Sequence, residues 1–170
     1  MKIHPTAIIG ADAQLSDGVE IGPYSIIGSD VKIGKNTVIG PHAVIDDYTH
    51  IGEGCRIFQF CSIGAPPQDL KFRGEETTAE IGDKTSVREG ATVNRGTASV
   101  GKTVVGSNCL LMAYSHIGHD CAIGNNCIIG NTTGLAGEVK VDDWAIISAG
   151  SLVHQFTRIG AHVMVGGGGK

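Results

Sequence analysis

The sequence predicts an all-β chain folded as a left-handed parallel β-helix, a triangular prism of 18-residue coils, and three observations predict it. Stepping by six from Ile3, 25 of 28 positions are Ile, Leu or Val. The residue after that aliphatic is glycine 14 times in 28. The residue two before it is nearly always small or β-branched, as in Ala7, Val31, Thr37, Ala43 and Thr133. A helix needs apolar spacing near 3.6, which a period of six does not supply. An aliphatic with a small partner two positions earlier is a short strand showing two inward side chains before a turn. The glycine is expected to relieve backbone strain at that turn. Successive coils then hydrogen-bond along the axis at a spacing of roughly 4.8 Å.

Composition agrees with each element. At 170 residues the chain is read as one domain spanning 1–170. Aromatics make up only 5% against 41% hydrophobic residues, as expected if the prism interior is too narrow for rings. The five cysteines, Cys55, Cys61, Cys109, Cys121 and Cys127, all fall in the small inward column and read as buried hydrophobes rather than a disulfide or metal framework. Charged residues total 18% with a net charge of −4, which argues against nucleic acid as a partner, since phosphate binding needs a concentrated basic surface. No apolar run reaches the length of a signal peptide or a membrane span. No integral membrane segment and a cytoplasmic location are therefore expected.

The repeat fails at Asp69 and Glu75 and again at Ser99. These failures predict loops at about 65–80 and 95–104, and in a regular solenoid insertions project on one face and carry function. The last segment, Val163 to Lys170, is still in register without a cap of another kind, so a continuing chain is expected.

Among seven histidines, His4, His42 and His50 sit in polar turns and read as surface residues. The run His116-Ile117-Gly118-His119-Asp120 differs. Ile117 points inward, so His119 is expected to project outward at a corner, with Gly101 and Gly137 as its neighbours on adjacent coils. An imidazole beside a carboxylate acts as a general base, the acid fixing the tautomer. No GxSxG elbow is present and the cysteines point inward, so direct transfer to an acceptor hydroxyl fits better than a covalent enzyme intermediate. A zinc site is the rival reading. His116 and His119 lie three apart, and His154 and His162 eight apart, which does not match the five-residue pairing of zinc carbonic anhydrases on this kind of scaffold; no metal is expected.

Four segments together carry a resemblance: Gln68-Asp69-Leu70-Lys71, the stretch from Leu110 to Cys121 with its His116-Ile117-Gly118-His119-Asp120 core, the triplet His154-Gln155-Phe156, and the run from Ile159 to Gly167. In this order and register they resemble the acyl-ACP–UDP-N-acetylglucosamine O-acyltransferases, which begin lipid A synthesis in Gram-negative bacteria. The resemblance implies a homotrimer with active sites in the clefts between subunits. It implies acyl-ACP and UDP-N-acetylglucosamine as substrates, with no cofactor beyond the carrier thioester. By match, His119 is the general base, Asp120 orients it, and the Gly137 backbone N–H supports the oxyanion. Asp69 and Lys71 contact the UDP-sugar, and His116, His154 and Gln155 line the site. Met164 and Gly167 fall where the family sets acyl-chain length, and glycine at 167 implies a longer 3-hydroxyacyl chain. Glu138 stands where the family carries a histidine that contacts the sugar, which opens a 3-amino sugar as acceptor. Relatives also carry further coils and a C-terminal helical domain absent from these 170 residues. Two alternatives stay open: the related UDP-3-O-acyl-glucosamine N-acyltransferase, and a catalytically incomplete trimeric β-helix fragment that binds partners without turnover.

Overall fold

Each hexapeptide yields one short strand, most of them two residues long. In the computed structural model, which describes residues 1–169, these strands form three parallel sheets. The first face takes nine strands from Lys2–Ile3 to Met164–Val165, the second eight from Ile8–Ile9 to Leu152–Val153, and the third eight from Gln14–Leu15 to Arg158–Ile159. Every strand pairs with the one a coil away, Ile3 with Ile21 and Ile27 with Ile45. The chain is a left-handed parallel β-helix.

The aliphatic column is the core. Ile27, Ile33, Ile45, Ile63, Leu111, Ile129 and Ile147 are fully buried, each contributing roughly 1.5–3 kcal/mol by removal from water. The small column completes it. All five cysteines are buried and free. Most hydroxyls in that column donate across the corner, Ser25 Oγ to the Gly40 carbonyl and Thr37 Oγ1 to the Gly52 carbonyl, both at 2.7 Å; Ser115 Oγ has no partner among the described residues. No aromatic belongs to the buried core; Tyr24, Phe60, Tyr114, Trp144 and Phe156 are exposed.

The role expected of the repeat glycines is corrected by the backbone. At Gly34 a Cβ would lie 2.6 Å from the carbonyl carbon of Gly52 and 2.7 Å from the amide of Glu53, both on the next coil. Coils approach so closely there that no side chain fits; φ at Gly34 is not in the left-handed region. The left-handed residues come two positions later, at Tyr24, Asn36, His42, Tyr48, Asp120 and Trp144 among others. Such corners cost free energy for ordinary residues. Ring stacking partly offsets it: His42 stacks between Tyr24 and Phe60 at 5.2 and 5.5 Å.

Both interruptions preserve the inward phase. Ile51 pairs with Ile81, thirty positions on rather than eighteen, and Ile81 pairs with Val105, twenty-four on. The insertions are thus whole multiples of the hexapeptide. The loops are narrower than expected, because strands Ser62–Ala65, Thr78–Ile81 and Lys102–Val105 reach into them. What remains outside the sheets is 66–77 and 95–101.

The outward columns differ by face. The third face turns Lys32, His50, Glu80, Lys140 and Arg158 outward, whereas the upper half of the first face turns out Leu110, Ile128, Ile146 and Met164. No helix of the described residues is long and apolar enough to cross a membrane.

Candidate active site

His119 follows the strand His116–Ile117 at the corner between the second and third faces. Asp120 takes the left-handed corner conformation at φ 60°, which a short polar side chain tolerates better than most. That bend turns its carboxylate back onto the preceding imidazole. His119 Nδ1 lies 2.8 Å from Asp120 Oδ2, and because a carboxylate has no proton to give, Nδ1–H is the donor. Nε2 is then the basic nitrogen.

The shorter loop completes this arrangement. The Thr97 amide donates to Asp120 Oδ1 at 2.9 Å and the Thr97 hydroxyl to Oδ2 at 2.6 Å. Asp120 is 3% exposed, and these donors replace the water it has lost. Its own backbone N–H donates to Thr103 Oγ1 at 2.8 Å. His119 does not project freely as expected: held by Asp120 and lying against Gly137 of the next coil, it is 8% exposed.

The neighbours of His119 are half as expected. Gly137 lies on the next coil, directly against the imidazole; a Cβ there would overlap Cε1 and Nε2. Gly101 is not the other neighbour. Val93 pairs with Ile117, twenty-four positions on, and Gly101 ends the loop, with open space where a Cβ would be. The six-residue insertion ends at Gly101, and from Val104, which pairs with Ala122, the coil is again eighteen residues.

The Gly137 amide matters for another reason. At some turns of the prism the amide at this position is capped from the next coil: Ser29 N–H donates to Asp47 Oδ1 and Asn125 N–H to Asp143 Oδ1, both at 2.7 Å. The residue a coil beyond Gly137 is Gln155, and among the described residues the Gly137 N–H donates to no acceptor. It stands beside the imidazole as an unspent donor.

Asp69 and Lys71 lie on the longer loop, which closes over the same corner. With Phe72 and Glu75 they line one side of a 260 Å³ pocket whose other side is Thr97, Ala98, Ser99 and Glu138. The Lys71 amide caps onto Asp69 Oδ1 at 2.9 Å, and Ser99 Oγ donates to Glu138 Oε1 at 3.1 Å. His116 and His154 lie instead on the second face, at the edge of an apolar groove of about 640 Å³ floored by Gly134, Leu135, Leu152 and Val153. His116 Nδ1 shares a 2.8 Å hydrogen bond with Thr92 Oγ1. Burial, and then the neighbouring His119, push its pKa below the ordinary 6.5. Gln155 is exposed at the next turn.

Met164 and Gly167 are not brought to this corner. Met164 belongs to the first face, paired with Ile146, and Gly167 follows it at the turn leaving that face. Sequence reasoning missed Thr97, Thr103, Thr92 and Ser99; the break at Ser99 marked the loop but not which residue in it would face the acid. Burial pushes the Cys61 and Cys121 thiols up to about 11, so neither is a ready nucleophile. Among the described residues no group of three or more His, Cys, Asp or Glu is placed to hold a metal ion.

With this geometry in view, the chain is similar to several known proteins. The bacterial transferase hexapeptide (six repeats) family matches residues 1–35, 12–47, 25–59 and 102–137. An acyl-[acyl-carrier-protein]–UDP-N-acetylglucosamine O-acyltransferase of Pseudomonas putida is 56% identical over 98% of this chain and 65% of its own length. The corresponding protein of Pseudomonas fluorescens is 58% identical with the same coverage. The crystal structure of a UDP-N-acetylglucosamine O-acyltransferase from Moraxella catarrhalis superposes with a TM-score of 0.96 at 46% identity, over 98% of this chain and 65% of that one. The chain thus spans 65% of the length of these Pseudomonas relatives.

Proposed function

The chain belongs to the bacterial hexapeptide transferases, in the branch of the acyl-ACP–UDP-N-acetylglucosamine O-acyltransferases, and we propose that it moves a 3-hydroxyacyl group from acyl carrier protein to the sugar 3-hydroxyl, the first step of lipid A synthesis. The observation that carries the mechanism is the Thr97–Asp120–His119 line facing the unspent Gly137 amide. Nε2 of His119 takes the hydroxyl proton as the sugar oxygen attacks the thioester carbonyl carbon. The oxyanion that forms accepts the Gly137 N–H, a donor that needs no reorganisation at the moment of reaction. Collapse restores the carbonyl and breaks the C–S bond, and the imidazolium returns its proton to the carrier thiolate. Asp120 holds the tautomer and the charge. Asp69 and Lys71 hold the UDP-sugar from the loop side, with Glu138 beside the 3-position, while the acyl chain lies along the apolar groove near His116 and His154.

A homotrimer completes this site. The upper first face is apolar and the third face charged, so the first packs against the second face of a neighbour and the third stays in water. That packing carries Met164 and Gly167 to the groove of the adjacent subunit, where glycine leaves room for a longer chain. Incubation with UDP-N-acetylglucosamine and 3-hydroxyacyl-ACPs of several lengths tests the reading. The expected product is the 3-O-acylated nucleotide, with longer chains preferred. Absence of acylation, or equal rates for His119→Ala, overturns it; preference for the 3-amino analogue overturns the hydroxyl acceptor alone. Sedimentation should give a trimer that Ile128→Asp breaks.

A further inference from the structure

The longer loop has no core of its own, yet it must hold Asp69 and Lys71 in fixed positions over the His119 corner. Three consecutive residues fasten it. Asn94 Nδ2 donates to the carbonyls of Ala65 and Pro66 at 3.4 and 3.3 Å, and the Arg95 amide donates to Ala65 at 3.0 Å. Those contacts fix the loop's entry. The Gly96 amide donates to the Thr78 carbonyl at 3.1 Å, and Thr77 Oγ1 donates to Gly96, which fixes its exit.

The middle of the loop is held differently. The Arg95 guanidinium lies 5.3 Å from the ring centroid of Phe72, a loop residue, and 5.3 Å from that of Tyr48, on the prism. Its Nε is buried with no hydrogen-bond partner among the described residues. An arginine placed for ion pairing would spend that donor on a carboxylate; this one is gripped by two ring faces. Phe72 is one residue from Lys71 and lines the pocket with Asp69 and Glu138. On the other side, Arg95 is two residues from Thr97, which holds Asp120.

We propose that Arg95 is a positioning residue: sandwiched between Tyr48 and Phe72, it locks the 66–77 loop so that Asp69 and Lys71 stand at fixed distance from the Thr97–Asp120–His119 line. The inference rests on the acceptor reading given above for Asp69 and Lys71. It distinguishes the loop's two jobs, since the hydrogen bonds at the roots fix where it begins and ends, and the cation between rings fixes where its middle lies.

The test pairs a structural readout with a kinetic one on the same variants. Arg95→Met keeps length without charge, Phe72→Leu keeps apolar bulk without a ring face, and Phe72→Tyr restores the face. Amide exchange across 66–77 should quicken about tenfold in the first two and return to normal in the third. KM for UDP-N-acetylglucosamine should rise about tenfold in the same two, with kcat within about twofold. Arg95→Met combined with Phe72→Leu should be no worse than either alone. Unchanged exchange refutes the clamp. Faster exchange with unchanged KM refutes its positioning role, and a fall in kcat at constant KM assigns Arg95 to the dyad through Thr97 instead. If the unsubstituted protein never turns over UDP-N-acetylglucosamine, the proposed activity fails and the positioning role with it, while the exchange rates still decide the clamp.

Discussion

The corner between the second and third faces occurs in every coil, and its lower and upper stretches put the same backbone to different uses. At Ser29 the turn amide is capped by Asp47 from the next coil, so the corner is closed and inert. At His119 and Gly137, farther along the same edge, there is no such cap: glycine stands where Asp47 stands below, an imidazole lies against it, and the two loops meet beside Glu138, the next residue. A free turn amide is not by itself the difference, since Asp47 and Gln155 on the same edge also donate theirs to no acceptor among the described residues; what sets the upper corner apart is the imidazole laid against that amide.

The most severe way to break the upper corner alone is His119→Ala, expected to lower kcat by about 10²–10⁴-fold with the melting temperature unmoved. Gly137→Ala comes next. Its methyl must displace the imidazole, so kcat should fall about a hundredfold, by loss of one oriented donor and misplacement of the base. The matching change in the regular shaft, Gly34→Ala, should do the reverse. Forcing a methyl between coils should cost about 1–3 kcal/mol in urea unfolding and leave kcat per folded molecule intact. If Gly34→Ala slowed turnover as much as Gly137→Ala, the distinction between the two stretches would collapse. Thr97→Val keeps the amide donor and removes the hydroxyl, so a loss of about tenfold in kcat is expected.

The smallest effect concerns His116. Its folded-state pKa lies below the ordinary 6.5, so the unfolded chain binds the proton more readily than the folded one. Stability is therefore complete above about pH 6.5 and declines as pH falls through that value toward the folded pKa. Urea midpoints measured across that range should show the decline, and His116→Gln should flatten it.

Much of the site was legible. His119 and Asp120 could be paired because adjacency plus a six-residue phase fixes which way each side chain points. Gly137 could be placed because the repeat is unbroken above Val105, so one coil is eighteen residues. Gly101 was misplaced for the converse reason: it is the last residue of the 95–101 loop, and periodicity carries no information inside an insertion. The repeat glycines show a subtler failure. Their positions were plain, but the physical cause was contact with the next coil, which a single period cannot reveal.

By itself the sequence determined the prism. A repeat of aliphatic, small and glycine positions specifies strand, inward pair and turn locally, and each coil repeats the same hydrogen bonds as the last. Only the tertiary structure decided what the two loops do. That Thr97 turns onto Asp120, that Arg95 lies between Tyr48 and Phe72, and that the Gly137 amide finds no acceptor are facts about residues brought together from different coils. No local rule encodes them, because the loops have no period, and their conformations are set by the side chains and amides of the shaft they fold against.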